Sequence, residues 1–292
     1  MFQDLRINPM EAFESDPPHL DFVLPGFLSG TVGTLFSPGG VGKSYFAMQA
    51  GISIAAAGCD GADMLGFAPR GGRVVYFAAE DPAVVLRRRL HAIGGHLPPE
   101  TRQEVGERFD LIPVMGQFLN MAKDEDIEAV RQYASNARLI VLDTLSRVHQ
   151  LDENSNGQMS ALMQCLESIA ASTGAAILYL HHVSKGSAST GQADQQHAAR
   201  GASALVDNAR WGASVSKMTT DEAAAWSDST SLAPIGEYRS HYLRFSVSKQ
   251  NYSEPVPDRW FRREAGGVLA PVELIPRPGN GTKKNGVKRN EL

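Results

Sequence analysis

Cysteine is scarce in this chain. Two residues in 292, Cys59 and Cys165, lie far apart and in no metal-ligand spacing. That excludes a disulfide scaffold and a thiolate metal cluster, and it fits a reduced, cytoplasmic compartment. Long hydrophobic runs are missing too. No uninterrupted apolar stretch approaches the roughly 20 residues of a membrane span. The N-terminus has no positive segment ahead of an apolar core, so neither a signal peptide nor a membrane partner is expected. There is no basic excess either, since the net charge is −4. Contact with nucleic acid would have to come from local loops or from a surface shared between copies of the chain. The eight histidines are scattered apart from His181-His182, which leaves no zinc spacing. No internal repeat and no inter-domain linker is visible.

What is present is an ordinary globular composition, 42% hydrophobic and 21% charged, arranged around one stretch. Leu35-Phe36-Ser37-Pro38-Gly39-Gly40-Val41-Gly42-Lys43-Ser44 reads as a strand from Thr31 to Phe36, a glycine loop, and an amphipathic helix beginning near Lys43. Glycines let backbone N–H groups turn inward on phosphate, the lysine adds a cation, and the serine hydroxyl suits Mg²⁺. The helix N-terminus contributes its own partial positive charge. The strict phosphate-loop pattern places glycine where this chain has Ser37. Serine is small and two glycines follow it, so the turn is expected to survive.

From Thr31 to about Leu180, strands and helices alternate. Apolar runs at Gly72–Ala78, Phe109–Val114, Arg138–Asp143 and Ala175–Leu180 are separated by helical stretches, the last of them stopped by Gly174. Near-continuous apolar strands between helices predict a mostly parallel sheet covered on both faces. Ligands in such sheets sit at the carboxyl ends of the strands, where Ser37, Glu80, Asp143 and His182 fall. Pro82 is placed to open the helix after Glu80, with Asp81 suited to cap it. Beyond His182, residues 183–200 read as a long, polar, glycine-containing loop, of the kind that is functional or disordered. A short helix over 200–207, a strand over 209–217, a helical turn over 220–226, and a hairpin of 242–248 with 259–263 predict that the sheet finishes antiparallel. Residues 1–30 form a leading arm, residues 31–275 one α/β domain, and residues 276–292 a tail of side-chain charge +4 that reads as disordered.

Hydrolysis of a bound nucleotide needs a carboxylate for the Mg²⁺ shell, a group to orient or deprotonate water, and positive charge on the γ-phosphate. Asp143, after four apolar strand residues, is the natural magnesium carboxylate, and Thr144 could cap the segment that follows. Glu80 is placed to face the γ-phosphate through one water. Adjacent histidines on a strand point opposite ways, so one of His181 and His182 faces the ligand and the other packs.

The ordered motifs SPGGVGKS, VVYFAAEDP, LIVLDT, LYLHHVSKG, RGASALVDNARW and FSVSKQNY resemble the RepA-type hexameric replicative DNA helicases of IncQ broad-host-range plasmids, members of the RecA-like P-loop ATPases. The resemblance runs from about Glu11 to about Leu274, including the Asp-Arg-Trp-Phe-Arg-Arg stretch at 258–263. It implies a RecA-like core assembled as a homohexameric ring, with ATP and Mg²⁺ between subunits and single-stranded DNA through the middle. It implies unwinding for plasmid or mobile-element replication, with a plasmid initiator and a primase as further partners. Gly39, Gly40, Val41, Gly42, Lys43 and Ser44 would cradle phosphate, with Ser44 and Asp143 at the metal. Glu80 would be the base, His182 the γ-phosphate sensor, and Arg210 an arginine finger acting on a neighbour's nucleotide; the residues alone suit a strand-surface salt bridge for Arg210. Tyr252, with Lys249, would approach nucleotide or interface. Lys185 and Arg200 would contact DNA phosphates, and the arm over 10–28 would brace a neighbour. Two other readings stand beside this one: a RecA-like recombination or repair ATPase, and a DNA-stimulated regulatory ATPase without helicase activity.

Overall fold

The computed structural model describes residues 6–183, 203–230, 232 and 234–277. Lys185, Arg200, nearly all of the loop expected over 183–200 and nearly all of the basic tail lie outside the described residues. A nine-stranded sheet dominates the fold. In chain order its strands are β3 (Val32–Ser37), β4 (Arg73–Ala78), β5 (Phe109–Pro113), β6 (Ala137–Asp143), β7 (Ala176–His182), β8 (Trp211–Lys217), β10 (Tyr242–Gln250), β11 (Arg259–Arg263) and β12 (Leu269–Val272). In space they run β12-β11-β10-β8-β3-β7-β6-β4-β5. Pairings from β8 through β5 are parallel, and those from β8 out to β12 are antiparallel.

Period-two alternation sorts each inner strand onto two cores. Val74, Tyr76, Leu139, Val141, Leu178 and Leu180 face α2 (Lys43–Ala55) and α3 (Ala83–Gly94). Val75, Phe77, Ile140, Leu142, Ile177 and Tyr179 face α5 (Asp124–Tyr133) and α6 (Asn156–Thr173). Side chains that alternate along a strand go to opposite faces, and both faces here are covered, so the runs read as continuously apolar. The α6 helix ends at Gly174, which takes the left-handed conformation at φ +73°. Asp81 does not cap α3. Pro82 occupies the N-cap position without a side-chain bond, and the Asp81 carboxylate pairs with Arg89 at 2.6 Å.

The amphipathic reading of α2 is corrected. All its residues except Ser44 and Tyr45 are buried. One side lies on the sheet, and the other is covered by β11, β12 and the turn between them, with Phe46 packed against Phe245 and Phe261. This second cover comes from residues far along the chain, 220 positions away in the case of Gln49 and Leu269, so local periodicity could not announce it.

The leading segment divides at Asp21. Residues 6–20 are exposed, and α1 (Pro9–Glu14) buries nothing. Asp21 is held by the Arg138 guanidinium at 2.7 and 2.9 Å. Beyond it β1 (Phe22–Leu24) and β2 (Phe27–Leu28) pack into the core, with Phe27 stacked on Trp211 at 4.8 Å. Gly33 makes room for that stack, because a Cβ there would sit 2.8 Å from the Phe27 ring and 3.0 Å from Trp211. The remaining short strands, β9 (Trp226–Asp228) and β13 (Leu274–Pro276), pair with each other. No helix among the described residues is long and apolar enough to cross a membrane.

The β12 edge of the large sheet is closed by side chains and a proline. The Gln49 amide on α2 donates to the Leu269 carbonyl at 2.8 Å and accepts from the Leu269 N–H at 2.7 Å. Pro271 offers no donor, and the Glu273 carbonyl accepts from Ser229 N–H at 3.0 Å. An unprotected edge is a template for pairing with another chain. Gln49→Leu leaves both polar groups of a buried residue unmet, and we expect it to lower unfolding free energy by about 2–4 kcal/mol. Urea titration checks this; a loss under about 0.5 kcal/mol would show that the pair contributes little.

Candidate functional site

The chemistry sits where four parallel strands end. Register sets the arrangement: Ser37 of β3 pairs with His182 of β7, and Ala78 of β4 pairs with Asp143 of β6. The loop after Ser37 turns on glycines. Gly40 has φ +74° and Gly42 has φ +126°. At Gly42 a side chain would be strained by the backbone conformation and crowded by Arg263 Nη2, which would lie 3.0 Å from a Cβ. Backbone and α2 N-terminus line a cleft of about 310 Å³ together with Lys43, Ser44, Tyr45, Glu80, Asp81, Arg89, His182, Arg263 and Gly267.

Three candidate side chains meet in one chain of contacts. Lys43 Nζ lies 3.2 Å from His182 Nδ1, and His182 Nε2 lies 3.2 Å from Glu80 Oε1. An ammonium group only donates. Nδ1 is therefore the acceptor, and Nε2 carries the hydrogen toward Glu80. His181 points the other way and is buried, and burial holds its imidazole below the usual range. Burial also lowers the Lys43 ammonium, against the stabilising charges of Asp143 and Glu80.

Asp143 sits deeper, 3% exposed. Burial pushes its carboxyl upward, while the Tyr76 and Ser44 hydroxyls and Lys43 hold it down. Tyr76 donates to Oδ2 at 2.6 Å. Oδ1 is buried and has no hydrogen-bond partner. A buried carboxylate oxygen left unmet beside a serine hydroxyl and a glycine cradle fits Mg²⁺ and a nucleotide polyphosphate. Among the described residues no cluster of three or more His, Cys, Asp or Glu could hold a metal by itself, in keeping with a Mg²⁺ that shares its shell with phosphate and water.

Arg210 and Tyr252 are not in this cleft. Arg210 precedes β8, and its N–H donates to the Val32 carbonyl at 2.9 Å, so it is level with the start of β3. The glycine loop follows the far end of that strand, about 17 Å away at strand rise. Arg210 is exposed and lines a polar recess with Ser160, Gln164, Glu167, Asp207 and Asn208. Tyr252 follows β10, whose Gln250 pairs with Trp211, which puts it at that same opposite end. Lys249 also lies there, its ammonium donating to the Asp207 carbonyl at 2.5 Å. Within one chain none of the three reaches the nucleotide cleft.

Sequence reasoning missed Arg89 and Arg263. The Arg89 guanidinium lies over the Tyr45 ring at 5.5 Å, and Arg263 donates to the Val41 carbonyl at 2.6 Å. Tyr45 in turn donates to the Gly266 carbonyl at 2.5 Å. The Arg87-Arg88-Arg89 and Arg262-Arg263 runs were the available signal, but nothing local says which arginine turns inward.

A mostly parallel sheet with an antiparallel end, a glycine loop opening its first long helix, and carboxylates at the neighbouring strand ends define a RecA-like P-loop ATPase domain. The AAA domain family matches residues 2–188, and the chain belongs to that family. Among solved structures it is similar to the ATPase domain of G40P, with a TM-score of 0.59 at 12% identity, covering 94% of this chain and 99% of that one. It is also similar to the RadB recombinase, with a TM-score of 0.51 at 17% identity, covering 84% and 92%. At these identities the likeness carries the fold.

Gly42→Ala tests the cradle. We expect at least tenfold weaker binding of a fluorescent ATP analogue, measured by anisotropy, because a side chain cannot take φ +126° beside Arg263 without moving the loop. Unchanged affinity would remove the cradle from phosphate binding.

Proposed function

We propose that this chain is an ATP-driven DNA helicase of the RepA type, which assembles as a homohexameric ring, translocates on single-stranded DNA and opens duplex for plasmid or mobile-element replication. The observation that carries the reading is the meeting of Lys43, His182 and Glu80 beside the buried Asp143. Glu80 orients the water that attacks the γ-phosphorus, and the bond to the β-phosphate oxygen breaks. Asp143 and Ser44 would hold Mg²⁺, which would supply charge to neutralise the phosphates. Phosphate binding draws Lys43 away from His182 Nδ1, leaving that nitrogen to report whether the γ-phosphate is there. His182 is one residue from Val183, whose N–H donates to the Ser37 carbonyl, and residues 184–202 follow directly in the sequence. That continuity gives the reading its route from hydrolysis to Lys185 and Arg200, proposed as salt-dependent contacts to DNA phosphates.

Arg210 acts on a neighbour's nucleotide in this proposal, consistent with its distance from the cleft of its own chain. The exposed segment 6–20 braces an adjacent copy, since Ile7, Met10 and Phe13 are 79%, 59% and 79% exposed. Likeness to the RadB recombinase favours one second reading, a recombination or repair ATPase. The two differ in assembly, because a closed ring has one mass while a filament grows with concentration.

Mixing tests the trans arrangement. Lys43→Ala and Arg210→Ala should each abolish ATPase activity and forked-duplex unwinding alone. Mixed in equal amounts they should regain part of the ATPase activity, because some interfaces then pair a wild-type Lys43 with a wild-type Arg210. Steady-state phosphate release reads the outcome. No recovery in co-assembled mixtures, or unwinding that persists in Lys43→Ala, would defeat the proposal.

A further inference from the structure

The glutamate proposed to orient water has little of its own to hold it. Glu80 leaves β4 just before Asp81-Pro82, at the rim of the cleft, with its side chain 30% exposed. Its neighbour Asp81 is committed to Arg89 at 2.6 Å. Among the described residues two groups hydrogen-bond the Glu80 carboxylate. One is His182, whose Nδ1 faces Lys43 and is disturbed whenever Lys43 turns to phosphate. The other is Thr144, whose hydroxyl donates to Glu80 Oε1 at 3.0 Å.

Thr144 suits a fixed support. It is fully buried. The strand ladder brings it there, since β4 and β6 pair at Ala78 and Asp143 and the Ala79 N–H donates to the Asp143 carbonyl at 2.7 Å, carrying the pairing one step past the strand. It stands at the start of the 3-10 turn Leu145–Arg147, where a threonine hydroxyl would ordinarily cap, yet it makes no capping bond. Its hydroxyl oxygen also lies 3.1 Å from Ser146 Oγ. With the Thr144 proton directed to the carboxylate, Ser146 must be the donor in that contact. Ser146, Thr144 and Glu80 thus form a directed chain that ends on Glu80 Oε1 without passing through His182 or Lys43.

We infer that Thr144 is a positioning residue for hydrolysis: its hydroxyl fixes Glu80 Oε1 so that Oε2 is left to orient water, and it keeps that geometry when His182 responds to nucleotide. This rests on the reading of Glu80 given above. Thr144 touches neither phosphate nor water in this scheme, so its loss lowers turnover and spares nucleotide binding.

The test uses the 292-residue chain. Thr144→Val, nearly isosteric and without the hydroxyl, should lower the kcat of ATP hydrolysis about tenfold, the scale of a hydrogen bond to a charged group. KM for ATP and the affinity for a non-hydrolysable analogue should stay within about twofold. Thr144→Ser, which restores the hydroxyl, should recover most of kcat. In a Glu80→Gln background Thr144→Val should add little further loss, because residues that act through one another are not additive. Unchanged kcat in Thr144→Val, no rescue by serine, or an equal further loss in the Glu80→Gln background would overturn the inference. Should valine prevent folding, as read by circular dichroism, the same comparison is made between Thr144→Ala and Thr144→Ser. Full activity in Glu80→Gln itself would overturn the underlying reading of Glu80 as well, and is thereby distinguished from failure of Thr144 alone.

Discussion

Parallel register is the constraint on which the rest depends. Once β3 lies between β7 and β8, and β6 between β4 and β7, every strand that carries chemistry ends on one side of the sheet. Ser37 is then level with His182, and Asp143 with Ala78. A slip of one residue in any pair would send each side chain to the opposite face. His182 would exchange places with the buried His181, and Asp143 would turn toward α6. The apolar strand residues on both faces, Tyr76 and Tyr179 among them, resist such slips because each is buried in one of two cores. The packing that stabilises the fold therefore also holds the site to its geometry.

Much of this was legible in the chain itself, and the reasons are local. Strands buried on both faces announce themselves as apolar runs, and a glycine loop followed by Lys-Ser needs only its immediate neighbours. Asp143 and Glu80 could be placed because a residue that ends a strand in an alternating pattern has few places to be. What stayed hidden depends on contacts between distant residues. The α2 helix looked amphipathic until β11 and β12 were laid over it. Arg263 reaches the glycine loop through the Val41 carbonyl, a contact that spacing cannot forecast. Thr144 looked like a cap because strand ends often need one, and only the neighbouring strand reveals that its hydroxyl serves Glu80. Arg210 could be associated with a nucleotide site only by resemblance, and its position at the opposite end of the sheet is new information about how it could act.

The C-terminal hairpin links assembly of the fold to the nucleotide cleft. Gln49 is tied to Leu269, Tyr45 to Gly266 and the Val41 carbonyl to Arg263. All three anchors lie on the glycine loop or the first half of α2, so displacement of the loop pulls on β11 and β12. Those strands are the far end of the antiparallel extension that begins at β8, directly after Arg210. A path of hydrogen-bonded strands therefore runs from the loop that cradles phosphate, through β11 and β10, back to the residue proposed to serve another copy's nucleotide. Its continuity is a property of the sheet.

Charge supplies the last step. The cleft and its floor contain three cations, Lys43, Arg89 and Arg263, and three carboxylates, Glu80, Asp81 and Asp143. Arg89 is already paired with Asp81, and Lys43 is buried among the fields of Asp143 and Glu80. The free site thus has no surplus of positive charge with which to meet a polyphosphate. Backbone N–H groups and the α2 dipole offset part of the deficit, and Mg²⁺ would offset more. Charge that develops on the γ-phosphate in the transition state calls for a further cation held in place beforehand. Within one chain Arg89 is committed to Asp81, and Arg263 is held on the Val41 carbonyl of the glycine loop. In the proposed assembly a second copy, presenting the exposed Arg210 from the start of its own β8, would add a further cation to this cleft.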